Sequence, residues 1–312
     1  MQDILLTRKA FLQSAAALAI GPYSQRKVAR DHFQFTHFTD VHIEPERGAP
    51  LGFAQCIRHI KNQPVQSDFA VCGGDLIFDG IQVTDARADG LYNLYSGTSA
   101  LLGLPIHHVI GNHDLHGQGL DGPASRDFDA FATKATFLKH TKLKSTHYSF
   151  DHKGWHFVFL DNIEPMPGTE WRAFVSEDQL AWLRNDFKAC PRKMPIVVVA
   201  HVPFVSLFAN LARGIIKKSP DKITVVNAEE VIDIFRTRNV RAVLQGHSHL
   251  YEEYEHYGIP FYTCGSVCGE WWRGWRMHLF PEGYTVCSCG PTDKFVLQYT
   301  SYNWDASKYL NQ

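Results

Sequence analysis

Beyond Ile20, no stretch of this 312-residue chain reaches the ~18 consecutive apolar residues that a membrane-spanning helix needs. A bilayer-spanning helix is therefore not expected. An excess of charge is also missing, because 31 Lys and Arg stand against 32 Asp and Glu for a net charge of −1. The local basic excess lies in the first 30 residues, where Arg8, Lys9, Arg26, Lys27 and Arg30 face only Asp3. The rest of the chain is the more acidic part, so it lacks the basic footprint of a nucleic-acid binder, and long DNA or RNA is excluded as a substrate. Internal repeats and low-complexity segments are absent. Cysteine is sparse and odd in number: Cys56, Cys72, Cys190, Cys264, Cys268, Cys287 and Cys289. Cys56 and Cys72 lie in apolar stretches and read as small core residues. The C-x3-C and C-x-C pairs near the C-terminus could close a disulfide in an oxidising compartment. Their spacing does not match a zinc knuckle, and unpaired packing residues are the expectation.

What the chain does have is enough apolar sequence, 45% hydrophobic against 20% charged, to bury a large core. Buried-strand runs are expected at Phe33 to Phe38, Phe69 to Cys72, Ile106 to Ile110, His156 to Leu160, Ile196 to Ala200 and Val240 to Leu244. Helical patterns lie between them. Leu51, Ala54, Ile57 and Ile60 recur every three residues. Ser176 with Gln179, and Asn227 with Glu230, read as capping boxes opening two more helices. Strand and helix alternate, which argues for α/β layers. Past residue 250 the pattern turns to hairpins, at Phe261 to Cys264, Arg276 to Phe280, Tyr284 to Cys287 and Phe295 to Tyr299, with a turn at Pro281-Glu282-Gly283. The connections 115–148 and 203–226 are long enough to be binding loops or lids.

The N-terminal Thr7-Arg8-Lys9-Ala10-Phe11-Leu12-Gln13, followed by an apolar run to Ile20, resembles a twin-arginine export signal in which Lys9 replaces the second arginine. The plain alternative is an amphipathic N-terminal helix. The resemblance implies export to the periplasm rather than a cytoplasmic protein. The expected organisation is an N-terminal segment 1–30 and one domain over 31–312, with a catalytic core at about 31–255 and a hairpin extension at about 256–312.

The chemistry is carried by five short motifs, each just after an apolar run: Asp40-Val41-His42, Gly74-Asp75, Gly111-Asn112-His113-Asp114, Ala200-His201 and Gly246-His247-Ser248-His249. Residues i and i+2 of a strand share a face, so Asp40 with His42, and His247 with His249, can each converge past a strand end. Gly73 and Gly74 let the chain turn sharply before Asp75. An Asn oxygen binds a cation without adding charge, and a buried Asn beside a His is otherwise costly. His113 points away from Asn112 and is free to meet substrate, and Asp114 could accept its hydrogen bond and fix its tautomer. Each motif alone is an ordinary turn or a satisfied core histidine.

In this order the string D-x-H, G-D, G-N-H-D, H, G-H-x-H resembles that of the calcineurin-like metallophosphoesterases over residues 33 to 250. The segment Gly265-Ser266-Val267-Cys268-Gly269-Glu270-Trp271-Trp272-Arg273-Gly274 resembles one in secreted bacterial members near the cyclic-nucleotide phosphodiesterase branch. The resemblance implies a four-layer α/β/β/α sandwich, two mixed sheets flanked by helices. It also implies a first metal on Asp40, His42 and His249, a second on Asn112, His201 and His247, and Asp75 as bridge. His113 and Asp114 are then the catalytic residues. On that resemblance two divalent ions would clamp the attacking and leaving oxygens and acidify a bridging water whose hydroxide would attack phosphorus, with His113 assisting the leaving group. The nitrogen and oxygen ligand set suits Mn, Fe, Zn or Co.

The pattern also excludes relatives. A purple acid phosphatase would carry a tyrosine where Leu76 stands, and a protein phosphatase an arginine in Gly74-Asp75-Leu76-Ile77-Phe78-Asp79-Gly80. A small phosphodiester such as a cyclic nucleotide is the expected substrate, with phosphomonoesters second and a non-catalytic scaffold a distant third. Trp271 and Trp272 are candidates for a stacking wall, with Arg273 meeting phosphate. The bland reading of the tryptophan pair is hairpin packing. His116 is placed at the edge of the pocket, and the remaining histidines, His107 and His108 included, are read as surface or packing residues.

Overall fold

A computed structural model describes residues 32–117, 129–168, 170–208 and 221–309. The export-signal reading falls on residues outside these. The apolar runs become strands that are buried on both faces, because sheets packed on both sides need no polar alternation. The first sheet holds β1 (Phe33–Phe38), β2 (Phe69–Cys72), β3 (Ile106–His108), β12 (Gly283–Cys289) and β13 (Phe295–Ser301) in the order β13-β12-β1-β2-β3. The second holds β4 (Tyr148–His152), β5 (Trp155–Phe159), β8 (Ile196–Val199), β9 (Val240–Gln245), β10 (Glu252–His256) and β11 (Ile259–Thr263) in the order β10-β11-β9-β8-β5-β4. A small ribbon pairs β6 (Ile163–Pro165) with β7 (Trp171–Ala173). β1, β2 and β3 run parallel, as do β5, β8, β9 and β11, while β12 pairs antiparallel to β1.

Alternate side chains divide between two cores. Phe33, Phe35, Phe69, Phe157, Val197 and Leu244 meet between the sheets. Phe38, Val198 and Val243 point outward, where helices cover them. Among the described residues the α-helices are α1 (Ala49–Lys61), α2 (Asp85–Ser99), α3 (Ala135–Thr141), α4 (Glu177–Ala189) and α5 (Ala228–Phe235). The molecule is thus an α/β protein of two mixed sheets flanked by helices. Segment 256–309 is woven into both sheets. It supplies β11 to one and β12 and β13 to the other, and β12 lies between β13 and β1.

Several local expectations shift. The buried stripe of α1 is Phe53, Cys56, Ile57 and Ile60, and Leu51 is 56% exposed. Ser176 caps α4 through the Gln179 N–H, but the Gln179 amide turns away and makes two bonds to the Asp161 backbone. Asn227 does not cap α5 with its side chain, which instead bridges both backbone groups of Val175. Both amides satisfy strand-end backbone that nothing else would reach. Arg276 to Phe280 is no strand, only an isolated bridge between its ends. All seven cysteines are unpaired and buried. Among the described residues, no helix is long and apolar enough to cross a membrane.

Candidate active site

The five motifs sit on the loops that leave the carboxyl ends of β1, β2, β3, β8 and β9, the edge where parallel strands present ligands. Their convergence does not come from strand alternation. Asp40, His42, Asp75, His247 and His249 all have φ between 43° and 69°, the left-handed region that L-residues rarely enter. The loops are sewn together by backbone bonds from Asp40 N to Gly74 O, His42 N to Asp75 O and Gly246 N to His201 O. The Asp40 carboxylate also accepts the His247 N–H at 3.0 Å, tying the first sheet to the second.

The ligand atoms converge closely. Nε2 of His42 and Nε2 of His249 lie 3.1 Å apart, with Asp40 Oδ1 3.4 Å from the latter. Asp75 Oδ2 lies 3.4 Å from His42 Nε2 and 3.1 Å from His201 Nε2, so one oxygen touches both halves of the cluster. Asp75, His201 and His247 offer atoms within 4.8 Å of one another, as do His42, Asp75 and His113. Backbone carbonyls fix the tautomers. Gly73 O accepts from His201 Nδ1 and Gly269 O from His249 Nδ1, which turns each Nε2 toward the carboxylates. Lys222 O accepts from His247 Nε2, leaving Nδ1.

Burial opposes charge on Asp40 and Asp75, yet His249 beside the first and His201 beside the second hold both carboxyls well below the usual range. Burial, with the neighbouring His113, pushes His42 far down, and burial with His201 lowers His247 to about 4. Burial works against protonation of His201, but the Asp75 carboxylate raises it to about 9. Asn112 Oδ1 is buried without a hydrogen-bond partner. An orphaned amide oxygen beside ionised carboxylates and inward-facing imidazoles is costly for a protein and suited to a cation. The residues present therefore fit a metal site.

His113 is placed as expected, its backbone N–H on Asp75 Oδ1 at 2.8 Å. Its tautomer is fixed by Phe78 O, 2.6 Å from Nδ1, and not by Asp114. The fully buried Asp114 carboxylate accepts the backbone N–H groups of Leu76 and Gly111 at 3.0 and 2.9 Å, so it braces two loops and has no route to substrate. Burial and the nearby Asp75 push its carboxyl up to about 8 against those donors.

Above the cluster is a cavity of about 380 Å³. His42, Asp75, His113, His247 and His249 form its floor and Trp271 a wall. Trp272 is not in it. At 1% exposure it packs on α1, where a Cβ on Gly52 would lie 2.3 Å from the indole, and its Nε1 donates to His42 O. The tryptophan pair therefore divides, one residue lining the site and the other anchoring the loop. Arg273 is exposed and does not line the cavity, whereas Arg276 does. His116 does not line it either. It is buried between Gly80 O and Asp85 Oδ1, holding the start of α2. Arg276 and the carbonyls of Gly73, Phe78, Lys222 and Gly269 escaped sequence reasoning. The first lay two residues beyond the tryptophan segment, and backbone acceptors leave no mark in a sequence.

The calcineurin-like phosphoesterase family matches residues 33–251. The chain belongs to this family. A protein of Psychrobacter arcticus named "Probable cyclic nucleotide phosphodiesterase" is 24% identical over 219 residues, 69% of each chain. The fold is similar to that of a dimetal phosphatase from Danio rerio, with TM-score 0.62 and 16% identity over 87% of this chain and 96% of that one. It is also similar to GAP50, the anchor in the inner membrane complex of Plasmodium, with TM-score 0.55 and 16% identity over 87% and 85%. Family membership makes this phosphoesterase a hydrolase of phosphoric esters.

Proposed function

We propose that this phosphoesterase is dinuclear and hydrolyses a small phosphodiester, a cyclic nucleotide being the first candidate. The observation that carries the dinuclear reading is the single Asp75 oxygen within 3.4 Å of His42 Nε2 and 3.1 Å of His201 Nε2. Asp40, His42 and His249 would hold one ion, Asn112, His201 and His247 the other, with Asp75 shared. When bound, such ions supply Lewis acidity toward the phosphoryl group and a nucleophile available near neutral pH. The chain's own residues do the rest. Burial shields the ligand floor, and the carbonyl-bound imidazoles turn their remaining ring nitrogens inward. His113 holds its Nδ1 proton on Phe78 O, so as an imidazolium it would give its Nε2 proton to the leaving oxygen, whose departure as an alkoxide is otherwise slow. The name of the Psychrobacter relative supports the diester preference.

Purified protein assayed with Mn²⁺ on bis-p-nitrophenyl phosphate and p-nitrophenyl phosphate tests this reading. Diester turnover should dominate and vanish with a chelator, and monoester turnover far above diester turnover would reverse the preference. Export to the periplasm is supported by the Arg8-Lys9 segment alone. Fractionation of the producing cell checks it, and a wholly cytoplasmic signal would remove it.

A further inference from the structure

Among the described residues, Arg276 is the one Lys or Arg that lines the cavity, and no metal-binding role requires it. Three contacts hold it. Nε donates to Ser248 O at 3.3 Å, Nη1 donates to Glu270 Oε1 at 2.6 Å, and the guanidinium carbon sits 5.1 Å from the centre of the Trp271 ring. Each contact leads back to the site. Ser248 stands between His247 and His249, and the Trp271 ring lies 4.7 Å from that of His249 and 6.1 Å from that of His42. Trp271 itself has φ 49°, a left-handed conformation that costs a non-glycine residue roughly 1–2 kcal/mol, so its place is set by its neighbours and not by local preference. Nη2 of Arg276 makes no hydrogen bond among the described residues.

A guanidinium fixed on two nitrogens and stacked on an indole has lost most of its rotamer freedom before any ligand arrives, so little entropy is left to lose on binding. Glu270 compensates its charge, so the side chain offers a directed donor more than a net positive field. Directed N–H groups of arginine suit phosphate oxygens. Lys222, the nearby cation, is already paired with Glu170 at 2.6 Å.

We propose that Arg276 is a substrate-binding residue of this site, donating to an anionic phosphate oxygen of the bound ester, while Phe208, Ile223 and Leu250 of the same cavity receive the uncharged part of its alcohol. The oxygen belongs either to the reacting phosphoryl group or to a second phosphate on the alcohol. The proposal rests on the phosphodiesterase reading above.

The experiment compares the Mn²⁺-loaded wild type with Arg276→Met and Glu270→Gln. Two esters are used: bis-p-nitrophenyl phosphate, with one phosphate, and the dinucleotide pApA, with a second. Inorganic phosphate binding is measured by calorimetry alongside. One charge-assisted hydrogen bond corresponds to a loss of about 10- to 100-fold. Arg276→Met should show that loss mainly as a raised KM, and Glu270→Gln a smaller loss in the same direction with Arg276 retained. Losses on both esters, with weaker phosphate binding, assign the reacting phosphoryl group, whereas a loss on pApA alone assigns a second phosphate. Losses under about threefold on both esters, in variants with wild-type metal content and melting midpoint, overturn the proposal. A variant that fails to fold leaves the Glu270→Gln comparison to decide. Absence of Mn²⁺-dependent hydrolysis in the wild type would instead sink the parent reading.

Discussion

Asp40, His42, Asp75, His247 and His249 hold left-handed backbone conformations that cost roughly 1–2 kcal/mol each for residues with a Cβ. They persist because buried hydrogen bonds between the loops over-determine them, and the cost buys convergence that a regular strand end would not give. His113 is free of that constraint, and the proposed reaction gives it the proton chemistry. Its replacement by Ala should cut turnover by ~10²–10⁴ while leaving bound metal in place, read by elemental analysis beside the assay. Unchanged turnover would remove it from the mechanism. Far from the cavity, His156 offers a test of electrostatics. Burial disfavours its charged form, but hydrogen bonds to Asp186 at 2.8 Å and Asp151 at 2.6 Å raise its pKa above the usual value. With the folded pKa above an unfolded value of about 6.5, its stabilisation is fully present below that pH and is lost as pH rises through the folded pKa. The gap in thermal midpoint between wild type and His156→Gln should therefore be widest at acid pH and narrow on the alkaline side. A gap that does not change with pH would show that the two aspartates do not stabilise an imidazolium.

The strands set the loops, and the glycines before the ligands let the loops meet. A Cβ on Gly111 would lie 2.1 Å from Asp75 Oδ1 and 2.3 Å from Asp75 N, both buried. Gly111→Ala must displace the residue shared by both halves of the cluster. It should lower bound metal well below the wild-type content and destabilise the fold by about 1–3 kcal/mol through overpacking. Elemental analysis and chemical denaturation check this, and full metal occupancy would show that the β2 loop can yield. The same element scale explains what was legible. β1 and β2 were readable to the residue because their runs are apolar on both faces. β4 was not, since Tyr148, Ser149 and Asp151 make a mixed edge strand, and α2 hides because Gly90, Ser96, Gly97 and Thr98 break its apolar stripe. Motif side chains were legible because each ligand type is rare beside its neighbours. Asp114 was misassigned because a carboxylate that braces backbone N–H groups has the same letter as one that orients a histidine.

At the scale of the whole molecule, the ligands come from both sheets, so neither half can form the site alone. Residues 256–312 belong to this joint. β12 pairs with β1 from Phe33 opposite Cys289 to His37 opposite Thr285, one strand away from Asp40. Cys268 N donates to Asp40 O, Val267 N to Thr39 O, and Gly269 O fixes His249. A chain ending at residue 255 would expose the apolar inner face of β1 and an unpaired strand edge, which favours association with other chains over folding. It would also release the carbonyl that sets the His249 tautomer. Such a truncation should express in aggregates, or unfold without a cooperative transition, and show no Mn²⁺-dependent hydrolysis of bis-p-nitrophenyl phosphate. Adding residues 256–312 as a separate peptide should restore little, because β12 must pair along β1 and β11 along β9 while the inter-sheet core forms around Phe35 and Cys287. A soluble truncation with a cooperative melt and wild-type kcat/KM would show instead that the catalytic core folds without its last strands.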